Sequence, residues 1–178
     1  MATITEPTCT VCFVCTGNTC RSFMAETVGR WVLDSLKSEY HGAADVKLVS
    51  RGTSLRENVP HPTAIEALKK SGCPIPEADM RKHVPTDLKA SPPHVTDKES
   101  LVYYFCMTRQ HREALLGVLG PLAFTSDRVK VFLLNDNSDD IPDPYNGPLE
   151  DYTGCLDTLQ KWCKVVLVNL LKGREPFD

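Results

Sequence analysis

The chain has 178 residues, 42% of them hydrophobic and 24% charged, and a formal net charge of -3 at pH 7. This length and composition describe one globular domain, large enough to enclose a core between layers of secondary structure. The slightly acidic net charge gives no indication of nucleic-acid binding. The sequence also contains no run of about 18 apolar residues, the length that is needed to span a bilayer.

The first residues and the cysteines bear on cellular location. Residues 1–8 lack the basic start and the apolar stretch of a signal peptide, so we predict an N-terminal extension to a single domain over residues 9–173. Eight cysteines would suit a disulfide scaffold in a short secreted protein, but this chain is long and regularly patterned. We therefore expect reduced thiols, a cytoplasmic protein, and neither a membrane nor a nucleic-acid partner.

Along the first 72 residues, continuous apolar runs alternate with segments in which apolar residues recur at helical spacing. The first run is apolar at successive positions, as a central parallel strand should be. The next segment carries apolar residues at helical spacing, and Gly72 is placed to end a later helix. The predicted elements are a strand over 9–15, a helix over 22–39, a strand over 45–50 followed by a turn at Arg51-Gly52, and a helix over 61–70.

The stretch 73–100 breaks this pattern, because it holds five of the thirteen prolines and no regular periodicity. We predict a long, partly helical excursion there, with His83 and His94 as solvated loop residues rather than ligands. Thr108 is a suitable cap for a helix that follows the third strand. The remaining predicted elements are a strand over 101–107, a helix over 108–119, a strand over 129–134, a helix over 148–172 and a frayed tail over 174–178.

Strands and helices that alternate in this order favour a parallel sheet. We predict an α/β fold, a three-layer sandwich with a four-stranded parallel sheet and helices on both faces. Ligands of such sheets bind beyond the carboxyl ends of the strands. Two chemically rich segments, residues 15–22 and 135–147, follow predicted strands at that edge.

The first segment reads Cys-Thr-Gly-Asn-Thr-Cys-Arg-Ser and starts at Cys15. Gly17 and Asn18 tolerate positive φ angles, which would turn successive backbone N–H groups towards an anion, and the helix N-terminus adds its dipole. Arg21 can donate two parallel hydrogen bonds to phosphate oxygens. The positive field favours the thiolate of Cys15, and Ser22 is placed to hydrogen-bond its sulfur. The segment therefore predicts an anion site with a nucleophile at its base.

These residues resemble the signature of the low-molecular-weight protein tyrosine phosphatase family, Cys-x5-Arg-Ser/Thr at the first strand-to-helix turn. Cys20 and the Met-Ala-Glu of residues 24–26 extend the resemblance, whereas Phe23 stands where the family usually has proline. The resemblance implies that Cys15 and Arg21 are catalytic. We expect no metal or cofactor, because the loop and Arg21 supply the positive potential that a cation would otherwise give. The resemblance also implies phosphate binding by Thr16, Gly17, Asn18, Thr19, Cys20 and Ser22.

The second segment, residues 135–147, contains four acids. Prolines on both sides of Asp143 restrict the backbone and would hold one carboxylate in place. The Asp-Pro-Tyr sequence that ends at Tyr145 resembles a motif of the same family, which implies that Asp143 is the general acid and base and Tyr145 a pocket wall. A calcium loop is a poor alternative, because Ile141 stands where its glycine belongs and Gly147 where its glutamate belongs.

The cysteines near the N-terminus allow other interpretations. Cys9, Cys12, Cys15 and Cys20 have a spacing that is typical of iron–sulfur or zinc sites. In a strand, however, Cys9 and Cys15 point to one face and Cys12 to the other, so they could not converge on one metal. Burial in the core is the plainer alternative. For Cys20, the resemblance implies a regulatory disulfide with Cys15, and packing under the loop is the alternative.

The resemblance also bears on the substrate, a phosphorylated protein or peptide that is hydrolysed through a phosphocysteine intermediate. Tyrosine-directed members commonly have Ile or Leu at the position of Thr19 and a second tyrosine at that of Asn146. Protein-arginine phosphatases of the family carry a sequence identical to residues 15–22. Because the Thr19 hydroxyl makes the pocket floor more polar, we favour phosphoarginine over phosphotyrosine.

Two further functions are alternatives. Arsenate reductases of this fold use a similar loop and additional cysteines, but Cys73 and Cys106 lack the close pairing that an electron relay would need. A non-catalytic reader of phosphoproteins would not require both Cys15 and Asp143.

Overall fold

The structure, a computed structural model, describes residues 9–93 and 100–178. The predicted extension over residues 1–8 and His94 lie outside the described residues. The strands are β1 (Cys9–Cys15), β2 (Val46–Gly52), β3 (Leu101–Cys106) and β4 (Val129–Leu133). The α-helices are α1 (Arg21–Leu36), α2 (Pro62–Lys70), α3 (Glu77–Met80), α4 (Arg109–Leu119), α5 (Leu122–Thr125) and α6 (Leu149–Leu171), and a 3₁₀ turn spans His41–Asp45.

The four strands form one parallel sheet in the order β2-β1-β3-β4. The chain passes from β1 to β2 on one side of the sheet and from β3 to β4 on the other. The loops that leave β1 and β3 therefore diverge, which opens a crevice at the carboxyl ends of these two central strands. Cys15 is the last residue of β1 and lies at this crevice.

A buried cluster lies on each face of the sheet. Val11 and Phe13 of β1 belong to a cluster covered by α1, α2 and α6, whereas Cys12 and Val14 belong to a second cluster with Leu115 of α4. Successive side chains of a strand point to opposite faces, which explains this division. The predicted three-layer architecture and the opposite direction of Cys12 are confirmed.

Two predicted boundaries differ from the structure by two residues or more, and several others differ by one. Helix α1 ends at Leu36 instead of residue 39: residues 37–39 form a turn in which the Leu36 carbonyl accepts from the N–H groups of both Glu39 at 3.1 Å and Tyr40 at 2.8 Å. Strand β2 continues through the predicted turn at Arg51-Gly52, because both residues remain in register with the end of β1. The partly helical character of the stretch 73–100 is confirmed by α3.

The prediction of a frayed tail over residues 174–178 is wrong. The Phe177 ring lies 5.8 Å from that of Phe132 and 5.9 Å from that of Trp162. The Asn169 amide donates a hydrogen bond of 2.8 Å to the carbonyl of Pro176. The Phe177 ring and the Asn169 hydrogen bond together fix the tail on the first cluster.

Among the described residues, no helix combines the length and the apolarity that crossing a bilayer requires.

Candidate active site

Backbone hydrogen bonds hold the segment of residues 15–22, here called the anion loop, from the side of β2. The N–H of Thr53 bonds to the carbonyl of Cys15 at 3.0 Å, and that of Ser54 bonds to Thr16 at 2.9 Å. The N–H of His61 bonds to the carbonyl of Thr19 at 3.0 Å. Because these carbonyls are engaged on the outside of the loop, its conformation is fixed by the segment that follows β2.

Asn18 anchors the loop from within. It is fully buried, and its φ of 57° is that of the left-handed conformation. The same conformation was expected of Gly17, which does not adopt it. The Asn18 amide nitrogen donates to the hydroxyls of Ser22 and Ser50, both at 2.8 Å. Its amide oxygen accepts from the N–H of Thr86 at 2.9 Å. One side chain therefore connects the loop with β2 and with the stretch after α3.

The Cys15 sulfur lies within reach of two donors. Its Sγ is 2.9 Å from the Ser22 hydroxyl and 3.3 Å from the N–H of Asn18. Ser22 Oγ accepts from the Asn18 amide, and its hydrogen can be donated to the sulfur or, over a longer 3.5 Å, to the Arg51 carbonyl. Both contacts are of the kind that a thiolate accepts, and the Ser22 contact is the one that the sequence predicted.

The guanidinium of Arg21 is buried, with 4% of the residue exposed. Its Nη1 donates to the carbonyl of Ile141 at 2.9 Å, and its Nη2 lies 3.3 Å from Asp143 Oδ2. Among the described residues, the buried Nε has no hydrogen-bond partner. Nε and Nη2 form one edge of the guanidinium, the edge that can bind two oxygens of an anion.

Asp143 and Tyr145 extend over the loop from the segment before α6. The Asp143 side chain is 47% exposed, and its Oδ1 accepts from the N–H of Tyr145 at 3.2 Å. The Tyr145 hydroxyl donates to Glu57 Oε1 at 2.9 Å, and its ring packs edge-on against that of His61 with a centroid distance of 5.6 Å. These two contacts fix Tyr145 as a wall of the site. They also place Glu57 at the site, which the sequence analysis did not identify.

These groups enclose a pocket of about 110 Å³. Two predicted binding residues, Asn18 and Ser22, lie behind the pocket wall and not in it. Two residues that were not predicted, Arg56 and Glu57, lie at its rim; they belong to a loop without any recognisable motif. The lining residues are Cys15, Thr16, Gly17, Thr19, Cys20, Arg21, Arg56, Glu57, Asp143 and Tyr145.

His83 is not the solvated loop residue that was predicted. Its Nε2 lies 2.8 Å from the carbonyl oxygen of Asn18, and its ring packs on Phe23 with a centroid distance of 4.9 Å. Burial lowers the pKa of His83. The histidine is therefore part of the support of the anion loop, and Phe23, which departs from the family's proline, provides the surface on which it packs.

His111 is another histidine that the sequence did not single out. It is buried in the first turn of α4, and its Nε2 lies 2.8 Å from Thr16 Oγ1. Burial, with a further contribution from the nearby Arg21 guanidinium, lowers the pKa of His111 to about 4. The ring is therefore neutral at neutral pH.

Cys20 packs beneath the loop, as one of the two interpretations expected. Its sulfur lies 3.5 Å from the Tyr152 hydroxyl and 3.7 Å from Thr19 Oγ1. Burial raises the pKa of Cys20 to about 11, so that it remains a thiol at neutral pH. All eight cysteines lie in the described residues and are free. The regulatory disulfide with Cys15 stays a prediction.

The metal and calcium alternatives find no support in the geometry. Within residues 9–93 and 100–178, no group of three or more His, Cys, Asp or Glu side chains is arranged to hold a metal ion. Asp140, one of the acids of the supposed calcium loop, instead accepts a hydrogen bond of 2.8 Å from the N–H of Arg109. Asp140 thus stabilises the start of α4.

Gly52 is required by the close approach of β2 to the anion loop. A Cβ at this position would lie 2.6 Å from the carbonyl oxygen of Thr16 and 2.7 Å from a methyl carbon of Leu55. Gly52→Ala should therefore displace the loop, lowering catalytic activity by about tenfold or more and the free energy of unfolding by about 1–3 kcal/mol. Steady-state hydrolysis and urea unfolding measure the two effects.

Gly154→Ala is the matched control, because nothing lies within 4 Å of the added methyl group in α6. It should keep full activity and be neutral or slightly stabilising. Full activity of Gly52→Ala would contradict the steric argument.

Comparisons with known proteins agree with this geometry. The family model of the low molecular weight phosphotyrosine protein phosphatase matches residues 10–175. A protein-arginine-phosphatase of Bacillus subtilis strain 168 is 30% identical over 171 residues, which cover 92% of this chain and 98% of that protein. The low molecular weight protein-tyrosine-phosphatase PtpB of Staphylococcus epidermidis is 26% identical over 147 residues, 80% of this chain and 85% of that protein.

A solved structure extends the comparison to three dimensions. It is that of a cysteine-to-serine mutant of the YwlE arginine phosphatase with a phosphorylated active-site serine. It is 26% identical, has a TM-score of 0.68, and the match covers 95% of this chain and 99% of that one. Because the family model spans nearly the whole chain and these relatives are protein phosphatases, the chain belongs to the low molecular weight phosphotyrosine protein phosphatase family and is a cysteine-dependent protein phosphatase.

Proposed function

We propose that the chain hydrolyses phosphoarginine in proteins through a phosphocysteine intermediate on Cys15. The observation that carries the proposal is the buried Arg21 guanidinium, whose Nε has no partner among the described residues and whose side chain lines the same pocket as Cys15. A buried donor without an acceptor is costly, so the site is incomplete until an anion binds. A phosphoryl group with two oxygens towards Nε and Nη2 would complete it.

The reaction proceeds in two displacements. The Cys15 thiolate attacks phosphorus, the bond from phosphorus to the leaving nitrogen breaks, and Asp143 transfers a proton to that nitrogen. Water, deprotonated by Asp143, then attacks the phosphocysteine and releases inorganic phosphate and the Cys15 thiolate. The loop amides and Arg21 stabilise the charge of both transition states. The phosphorylated active-site serine of the YwlE mutant supports a covalent intermediate of this kind.

The rim of the pocket supports a cationic leaving group. Asp143 and Glu57 contribute two carboxyl groups, and Arg56 is the one cation among the lining residues other than the buried Arg21. Thr19, whose Oγ1 lies 3.7 Å from Cys20 Sγ, lines the pocket with a polar side chain where an apolar residue would favour a phenyl ring. The guanidinium of phosphoarginine suits this charged and polar surface better than a phenyl ring does. The Bacillus relative, a protein-arginine-phosphatase, supports the same preference.

Phosphotyrosine is the second candidate substrate. The Tyr145 ring, held by Glu57 and His61, offers a flat surface against which an aromatic leaving group could pack. The tyrosine phosphatase from Staphylococcus supports this alternative. Arsenate reduction has less support, because Cys106 is fully buried in the cluster on the sheet face opposite to Cys15.

Thr19→Ile tests the substrate preference. The substitution replaces the Thr19 hydroxyl by an apolar branch, so the ratio of kcat/KM for a phosphoarginine peptide to that for a phosphotyrosine peptide of the same sequence should fall by about tenfold or more. Both peptides are assayed by release of inorganic phosphate. Thr19→Ser, which keeps the hydroxyl, is the control and should retain the wild-type preference.

An unchanged ratio in Thr19→Ile would remove Thr19 from the specificity argument. Wild-type hydrolysis of the phosphotyrosine peptide with a higher kcat/KM would make phosphotyrosine the substrate class instead.

A further inference from the structure

A buried imidazole connects the loops that leave the two central strands. His111 lies in the first turn of α4, directly after β3, and Thr16 directly follows β1. The sheet therefore brings together two residues that are far apart in sequence. The distance from His111 Nε2 to Thr16 Oγ1 is 2.8 Å, and 5% of His111 is exposed. None of the roles proposed above uses this ring.

The hydrogen bonds around the ring indicate which nitrogen carries its hydrogen. Thr108 Oγ1 accepts from the N–H of His111 at 3.2 Å and lies 3.1 Å from His111 Nδ1. If the Thr108 hydroxyl donates to Nδ1, both groups are satisfied within the protein. With the hydrogen on Nδ1 instead, the Thr108 hydroxyl hydrogen would have no acceptor among the described residues. This arrangement favours the hydrogen of the neutral ring on Nε2, from which it is donated to Thr16.

We propose that His111 is a positioning residue of the phosphatase reaction, which donates from Nε2 to Thr16 Oγ1 so that the Thr16 hydroxyl donates to the bound phosphoryl group. Thr16 lines the pocket beside Cys15 and Arg21. With its oxygen engaged by the ring, its hydrogen is directed to another acceptor, and an oxyanion in the pocket supplies one. The inference rests on the proposed phosphoryl transfer to Cys15.

The Thr16 hydroxyl would add a side-chain donor to the backbone amides of the anion loop. A hydrogen bond to a charged oxygen is stronger than one between neutral groups, so its loss should lower kcat/KM and the affinity for inorganic phosphate by about tenfold. A wrongly oriented hydroxyl has the same consequence as a missing one. Removing the His111 donor should therefore have the effect of removing the Thr16 hydroxyl.

A double-mutant cycle between Thr16→Val and His111→Met tests this coupling. Each single variant should lose about tenfold in kcat/KM and in phosphate affinity, and the double variant should lose no more than either single variant. Thr16→Ser keeps the hydroxyl, and His111→Gln keeps a donor near the position of Nε2, so both should recover most of the loss. Glu113→Gln, at an exposed position of α4, is the control and should behave like the wild type.

Wild-type kcat/KM and phosphate affinity in Thr16→Val would overturn the inference, and so would losses that add in the double variant. Thermal unfolding shows whether His111→Met folds. If it does not, the test is the kcat/KM and phosphate affinity of Thr16→Val compared with those of Thr16→Ser and His111→Gln. Should the wild type hydrolyse neither phosphopeptide, the proposed function fails. The phosphate affinity of Thr16→Val, measured by calorimetry, still decides the inference separately.

Discussion

Cys15→Ser is expected to abolish turnover while leaving a pocket that still binds inorganic phosphate. Serine has nearly the size of cysteine and can keep the contact with Ser22, so the anion loop should retain its shape. Its hydroxyl is far less acidic than a thiol, so that nucleophilic attack becomes slow, and phosphate on serine is released poorly. Turnover should fall by about 10⁴-fold or more.

The measurement combines hydrolysis of phosphoarginine and phosphotyrosine peptides with calorimetry of phosphate binding. Cys73→Ser is the matched control, because this half-buried thiol lies after α2 and outside the pocket lining. It should turn over like the wild type. Substantial turnover by Cys15→Ser would exclude Cys15 as the nucleophile, whereas loss of phosphate binding together with turnover would indicate that the loop had collapsed.

Asp143→Asn should separate substrates by the quality of their leaving group. A poor leaving group needs the proton of Asp143, so hydrolysis of a phosphotyrosine peptide should fall by about 10²–10³-fold. An aryl phosphate with an acidic phenol needs no proton and should lose much less. Asparagine has the shape of aspartate, and Arg21 Nη2 can still contact its amide oxygen, so the change tests the proton and not the packing.

The decisive measurement is the slope of log kcat/KM against leaving-group pKa across a series of aryl phosphates, which should become steeper in Asp143→Asn. Asp139→Asn, an exposed acid in the same segment, is the control and should keep the wild-type slope. Equal losses across the series would remove Asp143 from the role of general acid.

The anion loop and the strands could be predicted because their signals are local. An apolar run followed within eight residues by Cys15, Arg21 and Ser22 already specifies a strand, a turn and a helix N-terminus. The same holds for α2, in which Ala64, Ile65, Ala67 and Leu68 recur at helical spacing and are all buried, and for the proline-flanked Asp143. In each case the signal lies in residues that are neighbours in sequence.

The supports of the loop could not be predicted, because they depend on residues that only the folded sheet brings together. His111 and Thr16 are 95 positions apart, and His83 is 65 positions from Asn18. A single histidine in a loop looks the same in sequence whether it faces water or an anion site. Arg56 and Glu57 likewise reach the pocket only because the chain after β2 folds back over the loop.

The hydrogen bonds that hold Asn18 determine how substitutions outside the pocket affect anion binding. Ser22 holds this one amide within the loop, and Ser50 of β2 and Thr86 after α3 hold it from two other chain segments. The loop is therefore already ordered before a ligand arrives, and little conformational entropy remains to be lost on binding. If an anchor fails, only a fraction of the molecules is competent at any moment, and apparent affinity falls in proportion to that fraction. Substitutions of the anchors outside the loop would thus lower the apparent affinity for the anion and leave the chemical step unchanged.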